Sequence, residues 1–169
     1  LVKRGVLTAS EQDKAIDLFA AIPFDPQPLE LSAEQQHVFD ELLPNLEDSR
    51  PHAALLHGVT GSGKTIVFLR LIQRTLELGR KALVLVPEIS LTPQMIQRLK
   101  STFGSRLAVQ HSALNNTERL LQWRMIQQGN ADIVVGTRSA VFAPLQNLGL
   151  IIMDEEQEHT YQSESAPRY

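Results

Sequence analysis

Residues 58–65 read Gly-Val-Thr-Gly-Ser-Gly-Lys-Thr, the pattern G-x-x-x-x-G-K-T. Glycines in such a loop let backbone N–H groups turn inward and cradle phosphate oxygens. Gly58, Val59, Thr60, Gly61, Ser62, Gly63, Lys64 and Thr65 are therefore candidate nucleotide-binding residues. Lys64 would bring a point charge to the β- and γ-phosphates, and the Thr65 hydroxyl would ligate Mg²⁺. The pattern also dictates a setting, because the loop must run from a strand into a helix N-terminus, whose dipole favours anions. Upstream, Ala53–His57 is an apolar run of strand length and is predicted as a strand. Downstream, apolar residues recur at helical spacing from Thr65 to Leu78, and Gly79 stands where a helix C-cap belongs. A glycine-rich turn with a solvated lysine would share the letters but not this context.

The other bulk features are those of a soluble globular chain. The 169 residues suit one domain with a real core, 43% are hydrophobic and 21% are charged. No apolar run approaches the roughly 20 residues of a membrane span, so no membrane partner is expected. Leu1-Val2-Lys3-Arg4-Gly5 lacks the pattern of a signal peptide. There is no cysteine, hence no disulfide framework and no thiolate metal site. Together these point to the cytoplasm. The start at Leu1 and the uncapped stop at Tyr169 suggest a piece of a longer protein. The net charge of −3 argues against a generic nucleic-acid binder. Between Gly58 and Ala140, however, eleven basic residues face only four acidic ones. That middle is compatible with a polyanion partner. Basic solvated helix faces would give the same count.

Residues 1–30 read as an adjunct and linker. Thr8-Ala9-Ser10-Glu11 forms a capping-box pattern for a short helix. Three prolines then make Ile22–Pro28 extended. Ser32 and Gln35 form a second capping box, opening a helix with an apolar stripe of Val38, Phe39, Leu42, Leu43 and Leu46. Pro44 is expected to end or kink it. From Ala53 strands alternate with helices. Ala82–Val86, Arg106–Gln110, Asp132–Gly136 and Gly149–Met153 are predicted strands, making five with Ala53–His57. Thr92-Pro93 fits an N-cap followed by N1. Asn116-Thr117-Glu118 opens a helix that Gly129 ends. Trp123, on that helix's apolar stripe, is expected in the core. Repeated β-α-β units give an α/β fold, a parallel β-sheet with helices on both faces.

The last predicted strand delivers Asp154-Glu155-Glu156-Gln157 to its carboxyl end, where ligands bind in such sheets. An acidic pair there, downstream of a phosphate loop, is the Walker B arrangement. Asp154 would hold Mg²⁺, and Glu155 would orient and deprotonate the attacking water. Lys64, Asp154 and Glu155 are the candidate catalytic residues. The adjacent Glu155 favours hydrolysis over phosphoryl transfer to a small acceptor.

These stretches together resemble the superfamily 2 helicases. Asp-Glu-Glu-Gln is similar to their motif II. The phosphate loop, Leu83–Gln94 (LVLVPEISLTPQ), His111-Ser112, Glu118-Arg119, Val135–Leu145 (VGTRSAVFAPL), Asn147–Ile152 and Pro167-Arg168-Tyr169 resemble the replication-restart branch of that superfamily. The resemblance spans residues 31–169 and implies the first RecA-like lobe of a P-loop NTPase. Residues 1–7 resemble the end of a winged-helix module. The family more often has His where Gln157 stands, and this position, with Glu156, couples nucleotide state to DNA contacts. Glutamine both donates and accepts hydrogen bonds, so the role should survive.

The resemblance also implies site residues. Gln35 is similar to a glutamine that reads adenine, although closing the Ser32 capping box would use the same side chain. Glu88, Leu91, Thr92 and Gln94 resemble the DNA-touching motif Ia, and Thr137, Arg138 and Ser139 resemble motif Ib. A turn and helix cap after the strand would equally use those three. Tyr161, Arg168 and Tyr169 lie where aromatics can stack on bases. The implied cofactors are ATP and Mg²⁺, with zinc bound only outside this stretch. The implied partners are single-stranded or forked DNA, a primosome and single-strand-binding proteins. Hydrolysis would need a second lobe carrying an arginine finger, so the chain alone is expected to bind nucleotide weakly and turn it over slowly. Other readings are another superfamily 2 translocase (RecG-like or restriction-type), a nucleotide-gated DNA-binding module without turnover, and a small-molecule kinase.

Overall fold

The computed structural model describes residues 22–48, 50–59 and 61–161. The predicted Thr8–Glu11 helix start, Thr60, Arg168 and Tyr169 lie outside them. Among the described residues four α-helices and four strands follow one another: α1 (Ala33–Glu47), α2 (Lys64–Glu77), β1 (Lys81–Leu85), α3 (Pro93–Phe103), β2 (Leu107–Gln110), α4 (Asn116–Gln127), β3 (Ile133–Gly136) and β4 (Leu148–Met153). The sheet is ordered β2-β3-β1-β4, and every pairing is parallel.

Strand side chains alternate between two cores, as the pleat requires. Ala82, Val84, Val86, Val109, Val135 and Ile152 point to one face and pack with Leu69 and Ile72 of α2 and Ile96, Leu99 and Phe103 of α3. Leu83, Leu85, Ala108 and Val134 point to the other and pack with Ile126 of α4 and Ala140. Helices therefore cover both faces, and β1, β2 and β3 are buried along almost their whole length. Such strands read as continuous apolar runs. A third cluster joins α1 to α2 through Phe39, Leu46, Val67 and Leu71. Arg70 lies over the Phe39 ring at 5.4 Å, a cation–π contact on the same seam.

The helix starts follow their local signals. Ser32 and Gln35 exchange both bonds of a capping box. Thr92 caps α3 with Pro93 in its first turn. Asn115 and Glu118 form a capping box on α4. Gly79 and Gly129 follow α2 and α4 with φ of 70° and 78°, left-handed values that glycine adopts without a Cβ penalty.

Three expectations fail. Ala53–His57 forms no strand; it runs as an irregular, largely exposed segment, with Leu55 73% exposed. A strand exists only through its ladder, and the sheet ends at β4, whose outward residues Ile151 and Met153 stay exposed. Of the two outcomes expected at Pro44, an end or a kink, the end does not occur, because α1 runs on to Glu47. Its last turn is held by tertiary contacts: Leu46 is buried, the Leu46 carbonyl accepts from Arg80 at 3.0 Å, and Glu47 pairs with Arg74. Trp123 is not in the core but exposed, as is Leu120. The buried face of α4 carries Gln122 and Ile126 instead, and the Gln122 Oε1 accepts from the Val109 amide at 2.8 Å. Among the described residues, no helix is long and apolar enough to cross a membrane.

Candidate nucleotide-binding and hydrolysis site

The phosphate loop enters α2 at its amino end. Gly61 and Gly63 have φ of 82° and 83°, conformations in which a Cβ would be strained. Gly63 is the N-cap of α2 and offers no capping side chain, and the first turn carries no acid. The Ile66 amide donates to the Gly63 carbonyl at 3.1 Å, while the amides of Lys64 and Thr65, at the positive end of the helix, suit an anion. The Lys64 ammonium arches back over the loop, donating to the Gly58 carbonyl and to the Val59 carbonyl at 3.3 Å.

Gln35 serves two neighbours at once. Its Oε1 accepts from the Ser32 amide at 2.9 Å. Its Nε2 occupies the space that a Cβ on Gly63 would need. The capping role is realised, and the amide nevertheless lies against the phosphate loop and lines the same cleft.

Across the cleft, β4 delivers the acids. The Asp154 amide donates to the Leu85 carbonyl at 2.9 Å, extending the ladder by one residue. Glu155 follows with φ 52°, a left-handed value that costs a non-glycine residue about 1–3 kcal/mol. Its amide donates to Asp154 Oδ1 at 3.1 Å, and its carbonyl accepts from Glu158 at 2.9 Å. Burial and the neighbouring Glu155 charge raise the Asp154 carboxyl above its ordinary value, while Lys64 opposes the shift. A desolvated acid with a second acid beside it suits a cation. Thr65 and Asp154 also line one small cavity of about 20 Å³, but its other walls are Phe68, Leu69, Ile72, Val84, Met95 and Leu99, so this cavity is a gap in the apolar core rather than a cation seat. Glu156 and Gln157 are exposed on the same turn and line the cleft.

The candidate DNA-contacting residues sit on neighbouring turns at the carboxyl edge of the sheet. Glu88 follows β1, is exposed, and accepts from Ser112 Oγ at 2.8 Å. Thr92 and Gln94 are exposed at the start of α3. Thr137 follows β3 and is buried, its amide bound to the Gln110 carbonyl at 3.2 Å. Arg138 is half-buried and Ser139 exposed. Tyr161 is half-buried, packs against the α4-side core and donates its hydroxyl to the Asp154 carbonyl at 2.7 Å. In this arrangement its hydroxyl steadies the Asp154 backbone.

The DEAD/DEAH box helicase family matches residues 32–168. This chain belongs to the DEAD/DEAH box helicase family. Among curated members it is 46% identical over 170 residues to the replication restart protein PriA of Bacillus subtilis, covering 100% of this chain and 21% of that protein. It is 44% identical over 171 residues to PriA of Synechocystis, covering 100% and 20%. It is 48% identical over 139 residues to PriA of Treponema pallidum, covering 82% and 21%. The chain thus spans about a fifth of the length of these relatives. Among solved structures, RecG bound to a three-way DNA junction matches with a TM-score of 0.62 at 22% identity, over 78% of this chain and 23% of that one. The shared fold is the RecA-like α/β lobe expected from the motifs.

Within this helicase lobe two contacts escape sequence reading. Ser90 donates to Glu155 Oε2 at 3.1 Å, and Tyr161 reaches the Asp154 backbone. Ser90 stands inside the Leu83–Gln94 stretch, yet no local pattern ties it to an acid on the turn after β4.

Proposed function

We propose that this chain is the ATP-binding lobe of a cytoplasmic DNA helicase, one that couples ATP hydrolysis to movement along single-stranded DNA during replication restart. A single cleft of about 1410 Å³ carries the reading. It is lined both by the phosphate-loop residues Gly58, Gly61, Ser62, Gly63, Lys64 and Thr65 and by Asp154, Glu155, Glu156 and Gln157. Family membership supports the helicase class, and the likeness to PriA supports the restart role.

The chain's own residues divide the work. The α2 amides and Lys64 would hold the β- and γ-phosphates, Lys64 exchanging the Gly58 and Val59 carbonyls for phosphate oxygens. Gln35, beside Gly63, would meet the nucleotide at the loop's far rim. Thr65 and Asp154 would hold Mg²⁺, which neutralises phosphate charge when bound. Glu155 would accept a proton from water as the water oxygen bonds to the γ-phosphorus and the bond to the β,γ-bridging oxygen breaks. Glu88, Thr92, Gln94, Arg138 and Ser139 would face the strand, with Thr137 buried beneath them. Forked DNA, primosome proteins and single-strand-binding proteins would engage the longer protein.

Two measurements test the proposal. Titration of the chain with a fluorescent ATP analogue should show Mg²⁺-dependent binding that Lys64→Ala weakens by at least tenfold. In the full-length protein, turnover should rise with a single-stranded oligonucleotide and fall at least a hundredfold in Glu155→Gln. Unchanged turnover in Glu155→Gln would leave a nucleotide-gated binding module as the better reading.

A further inference from the structure

Glu155 lines the cleft with Lys64 and Thr65, yet one of its carboxylate oxygens is engaged from elsewhere. Ser90 Oγ donates to Glu155 Oε2 at 3.1 Å. Ser90 lies in the tight turn that leaves β1. Its amide and that of Leu91 both donate to the Pro87 carbonyl, at 2.9 and 3.1 Å, and its own carbonyl accepts from Thr92 at 2.8 Å. The same turn carries Glu88, which accepts from Ser112, and runs into Thr92, whose side chain caps α3. One short turn therefore bears two candidate DNA-contacting residues and also holds the candidate hydrolytic acid.

We propose that Ser90 is a latch on Glu155, closed when no strand lies on the Pro87–Thr92 turn and opened when one does. The inference rests on the ATPase reading above. With the latch closed, the hydroxyl occupies Oε2 and holds the carboxylate toward the Pro87–Thr92 turn, which leaves Glu155 one oxygen fewer with which to orient the attacking water. A phosphate of a bound strand is an anionic oxygen acceptor of the same kind, and it competes for the one hydrogen that the Ser90 hydroxyl can donate. Once Ser90 turns to phosphate, Glu155 regains both oxygens. Ser90 is in this sense a positioning residue, acting through Glu155.

Steady-state ATPase of the full-length protein, with and without saturating oligo-dT, tests the latch in Ser90→Ala and Ser90→Thr. Removing the hydroxyl should raise the DNA-free rate about three- to tenfold, the scale of one exposed hydrogen bond to a carboxylate. The DNA-saturated rate and the KM for ATP should stay within about twofold. Ser90→Thr keeps the hydroxyl and should behave as wild type, which separates the latch from a folding defect. A ratio of DNA-saturated to DNA-free rate that is unchanged or larger in Ser90→Ala overturns the latch. Wild-type turnover in Glu155→Gln would instead overturn the ATPase reading itself, so the two failures are distinguishable.

Discussion

The Tyr161 hydroxyl donates a 2.7 Å hydrogen bond to the Asp154 backbone carbonyl, while the Asp154 amide is tied to Leu85 on the opposite side. The residue that carries the candidate metal-ligating carboxylate is thus pinned by the sheet and by the loop beyond it. Burial and the charges of Asp154, Glu155 and Glu158 push the Tyr161 phenol up, so it remains a donor at any working pH. Tyr161→Phe removes the donor and leaves the carbonyl unpaired in a half-buried site. A loss of about 1 kcal/mol is expected, read as a melting temperature lower by about 2–4 °C. Mg²⁺–nucleotide affinity should fall several-fold, because the acid is less well placed. A variant that melts and binds as wild type would show that the bond has no structural role.

Gly61 and Gly63 share one backbone conformation but not one environment. Both are left-handed. A Cβ on Gly61 meets nothing within 4 Å, whereas one on Gly63 collides with the Gln35 amide. Gly61→Ala should cost only the strain of the conformation, about 1–2 kcal/mol. Gly63→Ala should cost more, because it also displaces Gln35 and opens the α1 capping box, itself worth about 1 kcal/mol. The double variant Gly63→Ala/Gln35→Ala should recover part of the loss, a coupling that a double-mutant cycle measures. Strict additivity in urea melts would argue that the two residues do not touch.

The raised carboxyl of Asp154 carries a signed consequence for stability. The folded chain takes up that proton more readily than the unfolded chain, so the ionised form is the costly one. The associated stability is fully present below the ordinary value of 3.8 and is lost as pH rises through the raised value. Asp154→Asn is neutral throughout. It should therefore melt higher than wild type at pH 7 without nucleotide, on the order of 1–3 °C, and the gap should close as pH falls toward 3.8. Adding Mg²⁺ and nucleotide should reverse the ranking, since only the wild type gains the full ligand stabilisation. Calorimetry at two pH values, with and without ligand, reads all of this.

What the sequence revealed, and what it hid, divides by range. Helix starts at Ser32 and Thr92 are legible because a cap and its partner lie three residues apart, whereas the opening of α4 at Asn116–Glu118 is legible without its true cap, Asn115, which pairs with Glu118. The strands β1, β2 and β3 are legible because burial on both faces leaves an unbroken apolar run. The phosphate loop is legible because its glycines and lysine are contiguous. The Ala53–His57 segment was misread for the opposite reason. Its composition suits a strand, but a strand needs a neighbour, and composition does not supply one. Trp123 failed similarly, since the inward face of α4 is set by Gln122 reaching the Val109 amide, a contact between distant positions. The links from Ser90 to Glu155 and from Tyr161 to Asp154 are tertiary in the same way.

Pro44 poses a conflict between local rule and tertiary support that can be measured. Its ring removes one N–H from α1 and crowds the Asp40 carbonyl, and an interior proline costs a helix about 3 kcal/mol relative to alanine. The helix nevertheless continues to Glu47. Beyond Pro44, the Asp48 amide donates to the Pro44 carbonyl at 3.0 Å, Leu46 is buried, and the Leu46 carbonyl accepts from Arg80. The helix end is thus held from α2 and the segment after it rather than by its own propensity. Pro44→Ala should restore the missing bond and raise stability by about 1–3 kcal/mol. Arg80→Ala should release the same helix end and lower stability by about 1–2 kcal/mol. In the Pro44→Ala background the Arg80→Ala loss should shrink, because the repaired helix no longer depends on its outside support. An Arg80→Ala loss of equal size in both backgrounds would mean that the last turn of α1 forms independently of the proline.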